Sequence, residues 1–241
     1  MALYLADRGF DVAIHYNGSA KEAEATAREA RAKGVRAECF QADLLDAKAC
    51  AALIPQVASA MGPLAVLVNN ASIFEEDTIH SATMESWDRH IGSNLRAPFQ
   101  LMQAFAAQAP KALPDHRGEA VAQALIVNMV DQQVLNPTPD YMTYSLAKAA
   151  LWSLTRTTAQ ALAPHIRVNA IGPGPTLKGA HQSKAGFAAQ RAATVLRRGS
   201  DPEDVTGALG YFLDAKAVTG QLICTDGGEH LEWREQDRDD G

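Results

Sequence analysis

Short apolar runs alternate with longer stretches in which apolar residues recur every three or four positions, over the whole chain. Val12–Tyr16, Val35–Phe40, Leu64–Asn69, Ala124–Met129, Ile166–Ile171 and Gln221–Cys224 are predicted as strands. Their near-continuous hydrophobicity suits parallel strands covered on both faces. Segments near 19–33, 46–61, 84–110, 141–164 and 201–213 carry helical periodicity. Ser19 followed by Glu22 predicts a capping box, and Gly34 a glycine C-cap. Strand–helix alternation of this kind implies an α/β fold: a doubly wound, Rossmann-like parallel sheet with helices on both faces. With no repeat and no linker, residues 1–241 are expected to form a single domain, and the charged tail Glu232–Gly241 is expected to fray.

Composition narrows the function classes. A net charge of −6 gives no footprint for nucleic acid or an anionic membrane surface. No apolar run reaches membrane-spanning length, and the opening residues lack a basic leader with a long apolar core. The cysteines Cys39, Cys50 and Cys224 are odd in number and far apart, with neither disulfide nor zinc spacing, and the histidines are scattered singly. A reducing, cytoplasmic setting without a metal is therefore expected. No Gly-x-Ser-x-Gly elbow and no phosphate-binding Gly-x-x-x-x-Gly-Lys-Ser/Thr occurs.

The most informative segment is Tyr144-Ser-Leu-Ala-Lys148, inside a predicted helix. Four residues apart, phenol and ammonium share a face. A nearby cation favours phenolate, so Lys148 is expected to lower the Tyr144 pKa and make it a proton donor at working pH. Asn69-Asn70-Ala71-Ser72 follows one strand end and Asp43-Leu44 another, where ligands of such sheets lie. Asn94 falls mid-helix. Pro173-Gly174-Pro175-Thr176 follows the strand at 166–171, and Asp226-Gly227-Gly228 comes near the end.

In order and spacing, from about Ala2 to Gly228, this set resembles the short-chain dehydrogenase/reductase family. The resemblance implies roles by position. Asp43 and Leu44 would meet the adenine, Asn70, Ala71 and Ser72 the cofactor ribose. Lys148 would hold the nicotinamide ribose, Pro173 and Gly174 would border the nicotinamide, and Asn94 would hold a water linking Lys148 to solvent. Asp131, Tyr144, Lys148 and Asn94 form the implied catalytic set.

One departure narrows the branch. Asp131, in Asn128-Met129-Val130-Asp131, stands where the usual member has a serine thirteen residues before the tyrosine. An ionised carboxylate accepts hydrogen bonds and cannot donate them, which suits a substrate with ring N–H groups better than a plain ketone. This run resembles the pteridine reductases. Phe74 and Tyr141 match the aromatic walls of that pocket, with Thr176 beside them as a further substrate contact. Stacking holds a flat heterocycle well.

The same resemblance implies NADPH, with NADH disfavoured. Tyr16 occupies the strand end where NAD-preferring members carry an acid, and Asn17 and Ser19 follow, Ser19 able to bond a 2′-phosphate. The family's glycine-rich pyrophosphate loop is not found, and Met1–Gly9 reads as the second half of the helix after it. We expect about 20 further residues upstream, a strand and a loop, and a start codon set too far downstream. The missing strand would be central and leave an apolar slot; a natural truncation is the alternative. Leu177–Leu196 is the expected substrate lid, and the long helices near 84–110 and 141–164 imply a homotetramer by resemblance. Three functions stay open: NADPH-dependent reduction of a small heterocyclic, pteridine-type substrate, generic ketone or alcohol oxidoreduction, and a catalytically silent binding protein of the same fold.

Overall fold

The apolar runs at the centre of the sheet become strands whose side chains meet helices on both sides. A computed structural model describes residues 1–179 and 182–231. In chain order the elements are α1 (Ala2–Asp7), β1 (Val12–Tyr16), α2 (Ala20–Ala32), β2 (Ala37–Gln41), α3 (Ala47–Met61), β3 (Val66–Asn69), α4 (Met84–Ile91) and α5 (Ala97–Gln108). There follow β4 (Leu113–Pro114), β5 (Ala120–Val121), β6 (Ala124–Met129), α6 (Met142–Leu162), β7 (Ile166–Pro173), α7 (Lys184–Ala193), α8 (Pro202–Asp214) and β8 (Leu222–Thr225). The charged tail Glu232–Gly241, and Ala180 and His181 of the lid segment, lie outside the described residues.

Strands β3, β6, β7 and β8 pair in that order, all parallel, and β6 sits centrally with every residue buried. Its alternation splits the core: Ala124 and Ile126 pack with Leu53, Leu101 and Phe105 on one face. Leu125, Val127 and Met129 pack with Leu209 and Phe212 on the other. Burying a side chain such as Ile126 stabilises the fold by roughly 1.5–3 kcal/mol. The doubly wound, parallel, single-domain α/β fold expected from the sequence is the one formed.

The sheet is interrupted. β1 pairs only with β2, and β3 pairs only with β6, so among the described residues no strand joins the two groups. Helix α1 spans the break: Tyr4 and Leu5 pack toward Leu209 and Phe212, and Leu3 and Leu5 toward Ala27 and Ala30.

Two local expectations need correction. Ser19 precedes α2 but makes no capping bond, because its ψ of 57° turns the residue away from the extended conformation of an N-cap. Gly34 does take the left-handed value expected of it, with φ +91°. The stretch 84–110 is two helices joined by a π-turn over Gly92–Arg96 rather than one helix. The lid segment carries its own helix, α7, capped by the Ser183 hydroxyl accepting from Gly186 N–H.

Candidate active site

The carboxyl end of β6 is the anchor. Just past it, Asp131 caps the 3-10 turn Gln132–Val134, its Oδ1 accepting from Gln133 N–H at 2.9 Å. Helix α6 lies against this end with Thr143, Tyr144, Ala147, Lys148 and Leu151 buried, the spacing that a helix face requires. Tyr144 donates its hydroxyl to Asp131 Oδ2 at 2.8 Å. Lys148, only 3% exposed, donates to the Met129 carbonyl at 2.7 Å. Its ammonium lies 5.6 Å from the centre of the Tyr144 ring. The structure thus brings these three sequence-predicted side chains together.

The electrostatics differ from the expectation. Burial, then the adjacent Asp131 carboxylate, pushes the Tyr144 phenol well above its ordinary value instead of lowering it. A phenolate here would be desolvated and would face a carboxylate, and Lys148 points to Met129 rather than to the phenol oxygen. Burial likewise raises the Asp131 carboxyl and lowers Lys148 to about 8. With the phenol held well above its ordinary value, its proton stays on the phenol oxygen, which donates to Asp131.

Phe74 stacks on Tyr141 with ring centres 4.3 Å apart and meets Tyr144 edge-on at 4.7 Å. No space remains between Phe74 and Tyr141, so a flat ligand would lie on another face of this cluster. Phe74 itself is 54% exposed, an unusual setting for a phenylalanine and one suited to covering a ligand. Tyr141 holds a left-handed backbone, φ 55° and ψ 43°, which costs a residue with a β-carbon roughly 1–2 kcal/mol. Strain of this kind persists where the surroundings over-determine it.

Asn94 sits in the π-turn, fully buried, and both amide atoms grip the loop before Phe74: Oδ1 accepts from Ile73 N–H at 2.9 Å and Nδ2 donates to Ile73 carbonyl at 2.8 Å. One amide hydrogen and one lone pair are left for a water. Such turns inside helices are frequent at functional sites. Asp43 and Leu44 follow β2, Asp43 exposed and accepting from Leu45 N–H, Leu44 buried in the core. Arg96 ties that loop to the π-turn by donating to the Leu45 carbonyl at 2.7 Å.

Asn70, Ala71 and Ser72 lie exposed just past β3, and Tyr16, Asn17 and Ser19 at and just past the end of β1. At the end of β7, Pro173 and Gly174 are half-buried, and Thr176 donates to the Gly174 carbonyl at 3.0 Å. A β-carbon on Gly174 would stand 2.7 Å from Asp226 Cβ, so only glycine fits there. All these positions follow carboxyl ends of parallel strands, where ligands of this fold collect.

A nicotinamide dinucleotide passes a test of fit. Among the described residues the Lys148 ammonium has a single acceptor, leaving two buried N–H donors for hydroxyl groups of a ligand. Behind Asp131 the structure also gathers Cys224, Asp226 and His230, whose ligand atoms lie within 4.8 Å of one another. Burial holds the Cys224 thiol up at about 12, so it stays protonated. Asp226 already accepts from Gly228 and His230 N–H and pairs with His230 Nδ1. This trio is a turn lock rather than an open ligand set.

Comparison with known proteins now decides the family. The model of the family described as enoyl-(acyl carrier protein) reductase matches residues 1–230. This chain belongs to the short-chain dehydrogenase/reductases. The dehydrogenase/reductase is 31% identical over 236 residues to the 3-oxoacyl-[acyl-carrier-protein] reductase FabG of Staphylococcus aureus, covering 96% of this chain and 92% of that protein. Among solved structures, FolM alternative dihydrofolate reductase 1 from Brucella suis in complex with NADP is 39% identical with a TM-score of 0.89. That match covers 98% of this chain and 92% of the other. The Brucella canis protein, also complexed with NADP, is 40% identical with a TM-score of 0.88, covering 98% of this chain and 91% of the other.

Sequence reading of this dehydrogenase/reductase missed Asp77, His90 and Thr143. All three are buried around the aromatic cluster. Only their partners in space reveal them; a single histidine at position 90 carries no motif.

Proposed function

We propose that this short-chain dehydrogenase/reductase reduces a pteridine-type heterocycle, a dihydropterin or a dihydrofolate-like compound, at the expense of NADPH. The observation that carries the reading is the Asp131 carboxylate, 2.8 Å from the Tyr144 hydroxyl, where a ketone reductase needs a donor. Asp131 accepts N–H groups of a ring and aligns it; the Tyr144 hydroxyl holds the proton that the reduced ring nitrogen takes up. Phe74 and Tyr141 would supply the flat apolar surface, with Thr176 as a further substrate contact. The likeness to FolM alternative dihydrofolate reductase 1 from Brucella suis, at 39% identity, supports the same reading.

When bound, NADPH supplies the hydride. Asp43 and Leu44 would hold its adenine, Tyr16, Asn17 and Ser19 the 2′-phosphate end, and Asn70, Ala71 and Ser72 the ribose. Lys148 would bond the nicotinamide ribose through its two spare N–H donors, with Pro173 and Gly174 beside the nicotinamide. Asn94 fixes the loop of Phe74 and would hold the water next to Lys148. Association through α5 and α6 into a homotetramer, in the cytoplasm, completes the proposal. An apolar groove of about 300 Å³ between those helices, lined by Phe99, Met102, Leu154 and Leu162, supports that assembly. Among the described residues no helix is long and apolar enough to cross a membrane.

A second reading, reduction of a 3-oxoacyl or other ketone, draws on the likeness to FabG. Steady-state turnover of a dihydropterin against a panel of ketones separates the two. Preference for the dihydropterin supports the first, and turnover confined to ketones replaces it with the second.

A further inference from the structure

Between the loop after β3 and the start of α6 runs a buried chain of hydrogen bonds that the chemistry above does not use. Asp77, 4% exposed, accepts from Thr143 N–H on Oδ1 at 3.0 Å. Its Oδ2 accepts from the Thr143 hydroxyl at 2.5 Å and the Ser86 hydroxyl at 2.9 Å. Its carbonyl accepts from Met142 N–H at 3.0 Å. Tyr141 gives α6 no side-chain cap, so Asp77 caps that helix from another part of the chain, with a negative charge at its positive end. Burial pushes the Asp77 carboxyl up, but the Thr143 hydroxyl and amide and the Ser86 hydroxyl outweigh it and hold it below its ordinary value.

His90 extends the chain. Its Nδ1 lies 2.6 Å from the Thr143 hydroxyl, and its Nε2 accepts from Glu75 N–H at 3.1 Å. The one hydroxyl proton of Thr143 goes to Asp77, so toward His90 that oxygen can only accept. The imidazole proton must then be on Nδ1, which leaves Nε2 free to accept from Glu75. Every bond in the chain thus points one way, from Glu75 and His90 through Thr143 to Asp77. The chain ties residues 75 and 77, next to Phe74, to residue 143, between Tyr141 and Tyr144. The His90 ring also lies 6.1 Å from the Tyr144 ring, edge-on.

We propose that Asp77, His90 and Thr143 are positioning residues that set Phe74 against Tyr141 and Tyr144, and so give the site its preference for flat heterocycles over small ketones. The substrate half of this statement rests on the pteridine reading above; the geometric half does not. Asp77→Asn tests the second half in the full chain without substrate. Its amide nitrogen, turned toward Thr143, must donate there, which sends the hydroxyl proton to His90 Nδ1 and the imidazole proton to Nε2, against Glu75 N–H. Nitrogen NMR of 15N-histidine protein is expected to find His90 protonated on Nδ1 in the wild type and on Nε2 in Asp77→Asn, the signal being assigned by its loss in His90→Gln. An unchanged tautomer overturns the chain.

Thr143→Val and Thr143→Ser test the first half. Valine is expected to raise KM for a dihydropterin about tenfold, while ketone kcat/KM moves less than about twofold, and serine restores the wild-type ratio. An equal loss for both substrates, or no loss, overturns the positioning role. A wild type that turns over no dihydropterin overturns the substrate reading, and the histidine tautomer still decides the geometry.

Discussion

Asp131→Ser is the substitution that separates the two functional readings most sharply. Serine caps a helical turn about as well as aspartate, so the Gln132–Val134 turn and the Gln133 N–H should keep a partner. What is lost is the carboxylate facing Tyr144 at 2.8 Å and, with it, the acceptor for a ring N–H. Hydrogen bonds to a charged group contribute roughly 1.5–3 kcal/mol each. If one such bond to the heterocycle tightens in the transition state, kcat/KM for a dihydropterin should fall about 10- to 150-fold. The Kd for NADPH, measured by fluorescence titration, should move by less than about threefold, since no role in holding the cofactor falls on Asp131. Ketone turnover should hold steady or rise, because the serine hydroxyl can donate to a carbonyl. The phenol should also titrate lower, since Asp131 is one of the groups raising Tyr144. A dihydropterin kcat/KM that does not change, or falls in step with ketone turnover, refutes the assignment of Asp131.

Three further outcomes follow from the geometry. Tyr144→Phe removes the proton donor while filling the same volume, so turnover should drop by about 10²–10⁴ with Tm nearly unchanged, and retained turnover sinks the donor assignment. Burial lowers Lys148 to about 8, so its ammonium is lost as pH rises through that value, and kcat/KM should decline on the alkaline side. The effect on stability has the opposite sign: between that pH and an ordinary lysine value the folded chain binds fewer protons than the unfolded one, so this group favours folding more as pH rises. An alkaline limb that persists unchanged in Lys148→Met would assign it to another group. Gly174→Ala drives a β-carbon to 2.7 Å from Asp226 Cβ, and overpacking of this kind costs about 1–3 kcal/mol, readable as a Tm several degrees lower; an unaltered Tm contradicts the packing.

Much of the fold was legible because its central strands, β6 and β7, are buried on both faces. Val12–Tyr16 and Ala124–Met129 form over those same residues, and in Ala124–Met129 apolar pattern and full burial coincide. The π-turn was not legible: Gly92–Arg96 keeps the periodicity of its flanking helices, and only its inward twist shows that Asn94 serves the Phe74 loop. The hairpin of β4 and β5 lacked length enough to show as alternation. At the site, Tyr144, Lys148 and Asp131 came from spacing and resemblance and do meet. The direction of the Tyr144 shift did not follow, because helix spacing reports which groups are near and not which is desolvated or where Lys148 points. Asp77 and His90 lie thirteen residues apart in sequence, on a loop and a helix, and are joined through Thr143, 53 residues beyond His90. No local pattern encodes such a junction.

The account's central claim is tested most directly by comparing steady-state kcat/KM of the full chain with NADPH for a dihydropterin and for a 3-oxoacyl thioester. The expected result is a preference for the dihydropterin of at least about tenfold, the worth of one discriminating hydrogen bond. Efficient reduction of the thioester with no turnover of the dihydropterin would contradict the account.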